Sequence, residues 1–218
     1  MLLRELKSIE KTGSGYILHG DAADVLLIFM TDDVIRVRVS FRRDFKEESY
    51  TLVTTAWEDR MDELLKDERT RIKSLDIPCE EKNGKLVFTT GTCILEIRKT
   101  PFFLTLKTLD GAVVYQDLKE RAFEKDYLGR LAHYSKMDPV NDHFYGFGEK
   151  TGCLDKKGRR LRMSPKDSIG HDPEFGDPMY KHIPFYIRLN RSSKKAVGVF
   201  YHNFYESCFN MGCEKSNY

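Results

Sequence analysis

Carboxylates are the most numerous reactive groups in this sequence, which contains 34 Asp and Glu among its 218 residues. Hydrolysis by general acid and general base catalysis needs two carboxyl groups held on opposite sides of one bond. No spacing in the sequence sets such a pair apart, and most of these acids are interpreted as surface groups. The residue types alone therefore do not single out a catalytic pair.

Metal, phosphate and nucleic-acid chemistry are each disfavoured. A zinc site needs His or Cys at close, regular spacing, whereas His171, His182 and His202 are dispersed. The Gly-Phe-Gly run at 146–148 lacks the third glycine of a phosphate loop, and no GxxxxGK[ST] motif occurs. The basic run Lys156–Arg160 is interpreted as a solvated turn, and a formal net charge of +2 argues against a polyanionic partner. We expect no cofactor, no metal and no nucleic acid.

One segment, Ser164–Tyr180, stands out as a candidate binding loop. It shows neither helical nor strand-like alternation, and it is rich in glycine and proline. Loops of this length without secondary structure are uncommon unless they are functional or disordered. The segment is therefore the first place to look for contacts with a ligand.

The residues around this loop resemble a known family. The run HFYGFGEKTGCLDKKGRRLRM (143–163) is followed by SPKDSIGHDPEFGDPMYKHIPFYI (164–187) and AVGVFYHN (196–203). In order, they resemble the Tyr-Gly-x-Gly-Glu-x-Thr-Gly-x-Leu-Asp-x-x-Gly, Asp-Pro-Leu-Tyr-Lys-x-Ile-Pro-Phe and Gly-x-Phe-x-x-Asn motifs of the N-terminal domain of glycoside hydrolase family 31. That family comprises α-glucosidases, α-xylosidases and relatives.

The resemblance implies a division of labour. Family members continue into a (β/α)8 barrel that carries both catalytic Asp residues, and nothing in this sequence resembles that part. We therefore expect an N-terminal piece of a longer retaining α-glycosidase, most simply an α-glucosidase, with its own C-terminal barrel as partner. The chain itself would contain no catalytic residue and would not hydrolyse an oligosaccharide or α-glycoside substrate.

By the same resemblance, Asp167 matches a family Asp that touches substrate hydroxyls, and Ser168 and His171 are its candidate neighbours. Pro165 occupies the position of a family Asn. An ionised carboxylate accepts strong hydrogen bonds from vicinal sugar hydroxyls. The alternative for Asp167 is a surface residue that caps a turn. Glu149 is interpreted as structural, with Arg159 or Arg160 as its partner.

The elements that must position this loop are predicted to be strands. Ile35, Val37, Val39 and Phe41 alternate with polar residues, and Asp110-Gly111 between two alternating runs is typical of a hairpin. Further strands are predicted at 15–19, 25–30, 50–55, 85–90, 183–189 and 196–203. The helix formers in 57–75 and the similar polar run 117–136 indicate one or two short helices. We predict a mainly β protein, a large antiparallel sandwich of the galactose-mutarotase-like type.

Residues 1–218 are expected to form a single domain, with 164–180 as the substrate-pocket loop. The charged N-terminus lacks the apolar region of a signal peptide, no run is long enough to span a membrane, and five scattered cysteines suit a reducing compartment. We therefore expect a cytoplasmic location without membrane contact, and leave open a homo-oligomer.

Two other functions remain open. A stand-alone carbohydrate-binding module would need an exposed aromatic platform, and the chain has a single tryptophan, Trp57. A mutarotase-like epimerase would need a His/Glu pair in a concave sheet, and none can be identified. Tyr180, Phe185, Tyr186, Phe200 and Tyr201 are interpreted as core or interdomain packing, with stacking on sugars as the alternative.

Overall fold

The computed structural model describes residues 1–45, 48–65 and 69–218, and strands dominate it. The chain divides into two compact units, Met1–Tyr134 and Ser135–Tyr218. No helix within those described ranges is long and apolar enough to cross a membrane. The predicted mainly β, antiparallel fold is confirmed.

The first unit contains a four-stranded sheet and a five-stranded sheet, both antiparallel between neighbours. The four-stranded sheet has the order β1-β2-β3-β4, namely β1 (Leu6–Lys11), β2 (Tyr16–Gly20), β3 (Asp24–Phe29) and β4 (Ile35–Ser40). The five-stranded sheet has the order β11-β10-β9-β8-β7, namely β7 (Cys79–Lys82), β8 (Lys85–Thr89), β9 (Cys93–Arg98), β10 (Phe103–Thr108) and β11 (Val113–Gln116).

The core of the first unit is formed by the alternate, inward-facing residues of both sheets. Leu18 and Leu27 from one sheet share a buried cluster with Phe88, Ile97 and Leu104 from the other. The Phe88 ring lies 5.1 Å from the Tyr16 ring, in an edge-to-face arrangement. Period-two patterning thus gives each sheet one apolar face, and burying the two faces together stabilises the sandwich.

The predicted hairpin is confirmed at Asp110-Gly111. Gly111 has φ +87°, a conformation that side chains with a Cβ rarely adopt, and Thr108 N–H donates to the Ala112 carbonyl across the turn. The strand predicted at 50–55 is largely absent: only β5 (Thr54–Thr55) forms, and it pairs in parallel with β6 (Thr70–Arg71).

The two stretches rich in helix formers behave differently from each other. Within 57–75 a helix α1 forms only at Asp62–Leu65, and residues 66–68 of that prediction lie outside the described part of the chain. The stretch 117–136 is not helical; it contains an antiparallel pair, β12 (Phe123–Lys125) and β13 (Leu131–His133). Phe123 packs against the core there, so tertiary burial overrides helix propensity.

The second unit contains the elements that carry the candidate loop. Its three-stranded sheet has the order β14-β16-β17, namely β14 (Asp142–Gly148), β16 (His182–Asn190) and β17 (Lys195–Phe200), and β15 (Arg160–Met163) pairs with β18 (Ser207–Asn210). The strand predicted at 196–203 therefore ends at Phe200. Phe147, Leu161, Met163 and Tyr186 are central to the core of this unit.

Glycines in the Gly-Phe-Gly run permit a bulge in β14. The register with β16 shifts between Gly146 and Gly148, and both glycines have positive φ. A Cβ on Gly146 would lie 2.7 Å from the Phe185 carbonyl oxygen, and one on Gly148 would lie 2.8 Å from the Ile183 nitrogen. The prediction that these glycines let two segments approach closely is confirmed.

Candidate functional site

The candidate loop joins β15 to β16, and residues 164–181 contain neither helix nor strand. This agrees with the irregular segment predicted at Ser164–Tyr180. At its start, the buried Ser164 hydroxyl donates to Glu206 Oε1 at 2.6 Å. At its end, the Glu149 N–H donates to the Lys181 carbonyl at 2.8 Å, next to the last pair of the β14–β16 ladder. Both ends of the loop are therefore fixed to strand-bearing segments.

A serine closes the neck of the loop. Ser168 is 9% exposed, and its hydroxyl donates to the Pro178 carbonyl at 2.6 Å. This bond joins positions ten residues apart, so the intervening residues form a compact excursion. The hydrogen of the Ser168 hydroxyl is committed to the loop itself, which makes Ser168 a loop-closing residue in this structure.

Within the excursion, Asp172 organises a tight turn. Its carboxylate accepts the N–H groups of Glu174 at 2.7 Å and Phe175 at 2.8 Å. These backbone donors, Phe175 first, hold the pKa of the Asp172 carboxyl below its ordinary value. Gly176 donates its N–H to the Asp172 carbonyl, and a Cβ at Gly176 would lie 2.5 Å from that oxygen. The turn therefore requires glycine there.

A buried ion pair ties the returning half of the loop to the segment after β14. Lys150 Nζ lies 2.7 Å from Asp177 Oδ1, and the two side chains are 0% and 11% exposed. Asp177 Oδ2 also accepts the Arg162 N–H at 2.6 Å. Removing either charge would leave the other buried and uncompensated, which is strongly destabilising. The pair is thus a main anchor of the loop.

The segment that supplies these anchors is itself fixed by a second buried lysine. Lys156 Nζ donates to the carbonyls of Cys153 at 2.6 Å and Thr151 at 3.0 Å. Burial lowers the pKa of this ammonium group. From the same segment, the Gly152 N–H reaches the Pro173 carbonyl at 3.1 Å, and Arg159 Nη1 reaches the Glu174 carbonyl at 3.2 Å. The segment 149–159 is therefore a platform on which the excursion rests.

Asp167 and Tyr180 form the solvent-facing polar group of the loop. Asp167 is exposed and Tyr180 is 51% exposed. The Asp167 carboxylate close to the Tyr180 hydroxyl raises the pKa of Tyr180 above its ordinary value. Ionised tyrosine would place a second negative charge beside the carboxylate. The result is an exposed carboxylate next to a half-exposed aromatic ring.

The three predicted binding residues thus occupy one loop but different environments. Asp167 faces solvent, Ser168 is buried at the neck, and His171 is exposed, with its backbone N–H donating 3.2 Å to the Ser168 carbonyl. The His171 ring is the electrostatic neighbour of Asp172, lowering the pKa of that carboxyl. Their role in binding a substrate stays a prediction.

The structural role predicted for Glu149 holds, but the predicted partner is wrong. Its carboxylate accepts the Lys181 N–H at 3.3 Å. Arg160 instead pairs with Glu214 at 3.3 Å, and Arg159 donates to a carbonyl of the loop. This bond to the Lys181 N–H places Glu149 at the base of the loop, next to the end of the β14–β16 ladder.

Sequence reasoning missed the residues that hold the loop in place. The sequence assigns Tyr180 to packing and gives no role to Lys150 and Asp177. It places Lys156 in a solvated turn, which is wrong for this residue, because Lys156 is 5% exposed. Asp172 precedes a proline, and an Asp in that setting is typical of turn initiation, which is the one local signal available. A lysine buried by a partner 27 residues away leaves no such pattern.

The arrangement is suited to binding and orientation. An exposed carboxylate can accept hydrogen bonds from neighbouring hydroxyls of a polyol, and charge-assisted bonds of this kind are stronger than neutral ones. The other two aspartates of the loop are engaged, Asp172 by backbone N–H groups and Asp177 by Lys150. Among the three aspartates of the loop, Asp167 is therefore the one available as an acceptor, beside the neck and the Tyr180 ring.

Comparison with protein families gives one match. The model described as the glycosyl hydrolase 31 N-terminal galactose mutarotase-like domain matches residues 24–210. The match includes the candidate loop, its platform and most of the first unit.

Known relatives are much longer than this chain. Alpha-glucosidase 2 of Bacillus thermoamyloliquefaciens is 27% identical over 205 residues, which are 93% of this chain and 23% of the relative. A GH31 dextranase of Flavobacterium johnsoniae, solved with glucose, superimposes with a TM-score of 0.82 at 20% identity, covering 100% of this chain and 24% of that one. A cycloalternan-forming enzyme of Listeria monocytogenes, solved with a pentasaccharide substrate, gives 0.74 at 14% identity, covering 99% and 19%.

Proposed function

The chain belongs to the family of glycosyl hydrolase 31 N-terminal galactose mutarotase-like domains, and we propose that it serves as the N-terminal domain of a retaining α-glycosidase. Within that class the proposal is an α-glucosidase that removes terminal α-linked sugars from oligosaccharides. The relative named alpha-glucosidase 2 supports this choice. Because the chain spans 23% of that relative, the activity is proposed for the longer protein.

The observation that carries the proposal is the fixed loop 164–181 with the exposed Asp167 beside its neck. A loop that only connected two strands would not need a buried ion pair, a serine closure and a glycine-dependent turn. Holding a ligand-contacting group in one position lowers the entropy cost of orienting a substrate. The chain's contribution is therefore to shape the sugar site and position hydroxyl groups, with Asp167 as the contact residue and Ser168 and His171 beside it.

Bond cleavage is assigned to residues outside this chain. A retaining glycosidase needs a carboxylate nucleophile and a carboxylic acid about 5–5.5 Å apart, flanking the scissile bond. In the proposal, both belong to a C-terminal barrel. Asp167 supplies one carboxylate, which can bind a hydroxyl but cannot perform both steps alone.

A patch of exposed apolar residues supports the barrel as a partner. On the sheet face opposite the core of the second unit, Phe185 of β16 lies directly across from Phe200 of β17. Both are exposed, as are Ile183 and Ile187 on the same face of β16. An antiparallel sheet with one solvated face normally carries polar residues there, so contiguous apolar groups indicate a contact surface.

A cytoplasmic location is proposed from the sequence alone.

The first experiment compares two proteins with one substrate. The 218-residue chain is expected to release no 4-nitrophenol from 4-nitrophenyl α-glucoside, whereas the product of the full reading frame releases it. Release by the purified chain would contradict the division of labour. A full-length product without activity on any aryl α-glycoside would contradict the enzyme class.

The second experiment tests the loop directly. In the full-length enzyme, Asp167→Ala is expected to lower kcat/KM by about tenfold, the scale of a lost hydrogen bond to a charged group. Lys166→Ala is the matched control, because Lys166 is the exposed neighbour without an assigned contact. Equal kinetics for the two variants would remove Asp167 from the substrate site.

A further inference from the structure

A second candidate site lies in the first unit, away from the residues assigned to the loop. It is a surface depression of about 460 Å³ between the β1–β2 turn, the residues after β5 and the end of β6. This volume is within the range of about 300–1,000 Å³ typical of small-molecule sites. Trp57, the only tryptophan of the chain, forms part of its wall.

The wall around Trp57 is held in place. The Arg36 guanidinium carbon lies 3.7 Å from the centre of the indole ring, a cation–π contact that fixes the ring. Arg71 of the wall is paired with Asp62 at 2.6 Å, and Asp62 also binds Arg69 at 3.1 Å. These pairs limit the movement of the short β5–β6 ribbon that carries part of the wall.

The remaining charges of the wall point to a neutral ligand. Glu58 and Lys73 line the depression with opposite signs, and no ion pair involves either of them within the ranges 1–45, 48–65 and 69–218. One carboxylate and one ammonium group together carry no net charge, so these two residues favour neither an anion nor a cation. Ser14 and Ser74 add hydroxyl groups to the same wall.

From this combination we infer that the depression binds a short neutral saccharide. An indole offers a broad apolar surface to the C–H groups of a sugar ring, while Glu58, Lys73 and the two serines can accept from and donate to its hydroxyls. All the lining residues belong to the first unit, so the site stands independently of the loop and of the proposed function. It would hold a short glycan on the surface of the first unit.

The single tryptophan gives a direct test. The 218-residue chain is titrated with maltose and with isomaltotriose while Trp57 fluorescence is recorded, and with glycerol at equal mass to correct for the solvent. We expect a saturable change with a Kd in the millimolar range for at least one sugar. Saturation-transfer NMR on the same mixtures is expected to show transfer to the sugar protons, which covers binding that leaves the fluorescence unchanged.

Variants of the polar wall connect the signal to the site. Lys73→Ala and Glu58→Gln are each expected to weaken binding about fivefold or more, since each removes a hydrogen-bonding charge, while the circular dichroism spectrum and Tm stay as in the parent. Lys119→Ala, an exposed lysine of the same unit, is the control and is expected to bind normally.

Three results would overturn the inference. Neither fluorescence nor saturation transfer responds to a sugar; sulfate or adenosine saturates the site at lower concentration than the sugars; or the Lys73 and Glu58 variants bind as tightly as the parent. Loss of activity of the full-length enzyme on Asp167→Ala bears only on the loop, so the two proposals can fail separately.

Discussion

Different interactions stabilise the sheet core of the first unit and the loop region of the second unit. In the first, alternating apolar side chains from two sheets share one buried cluster, with Phe88 at 0% exposure among aromatic and aliphatic neighbours. In the second, an irregular segment is held by buried lysines, carboxylates and serines bonded across the chain. Non-directional burial is sufficient for a regular sheet, but a long loop needs directional bonds to keep one conformation.

Removing one phenyl ring from each region should give the clearest contrast. Phe88→Ala is expected to lower the free energy of unfolding by about 3–5 kcal/mol, because it leaves a cavity in the sandwich core. Phe175→Ala, in a loop residue that is 67% exposed, is expected to cost about 0.5 kcal/mol or less. Urea unfolding followed by Trp57 fluorescence reports the first unit, and circular dichroism reports the whole chain.

Similar costs for the two phenylalanine variants would break the comparison. It would mean that the loop packs as tightly as the core despite its exposed ring. The comparison would instead be sharpened if Phe88→Ala lowers the free energy of unfolding while hydrogen exchange of residues 164–181 stays as in the parent. The loop would then keep its local stability when the core is weakened.

The buried ion pair is the loop's counterpart of the aromatic core. Asp177→Leu is expected to cost about 3 kcal/mol, since it leaves the fully buried Lys150 ammonium without its carboxylate. The same variant should raise hydrogen exchange in 164–181. Because paired apolar replacement of a buried ion pair is often neutral, Lys150→Met together with Asp177→Leu is expected to recover most of the loss. A double variant no better than the single one would show that the Asp177 bond to Arg162 N–H is the more important contact.

This contrast also explains how much the sequence could predict. The Asp110-Gly111 hairpin and the alternation in 35–41 predict the hairpin β10–β11 and the strand β4, because both depend on residues that are neighbours along the chain. The polar run 117–136 misleads, since Ala122 and Phe123 join a core formed by distant strands. Local patterns predict sheet faces well. The competition between helix propensity and tertiary burial depends on residues that are distant in the sequence, which a local pattern does not contain.

For the loop, the sequence predicts its extent and its candidate contact residue but not its supports. Glycines and prolines mark 164–180 as irregular, and the family resemblance picks out Asp167. The Lys150–Asp177 pair and the Ser168 closure depend on the path of the folded chain, and any of the many lysines could have been the partner. Ser168 was accordingly assigned to substrate, although its hydroxyl closes the loop.

A smaller effect is expected from the aromatic partner of Asp167. In the full-length enzyme, Tyr180→Phe is expected to lower kcat/KM by about twofold to fivefold, less than Asp167→Ala, because the carboxylate remains and only the neighbouring hydroxyl is lost. In the 218-residue chain, Asp167→Ala should lower the pKa of Tyr180, measured by NMR with ring-labelled tyrosine. His171→Ala is the control for that titration. A Tyr180 pKa unaffected by Asp167 would contradict the proximity of the two groups.

The smallest effect concerns a partly exposed charged group of the first unit, which contrasts with the buried charges of the second. Hydrogen bonds that the His19 imidazole donates to Glu10 and then to Asp24 raise the pKa of His19 above its ordinary value. A raised folded pKa contributes stability that is fully present below the unfolded value of about 6.5 and is lost as pH rises through the folded pKa. We expect the free energy of unfolding of the parent, measured by urea unfolding, to fall from pH 6 to pH 8 by less than about 1 kcal/mol, because the imidazole is 34% exposed and screened by solvent. Glu10→Gln should flatten this dependence, whereas Glu5→Gln, an exposed acid of the same unit, should leave it unchanged. If the Glu10 variant lost as much stability as the parent over that range, the bond between His19 and Glu10 would contribute nothing to the pH dependence.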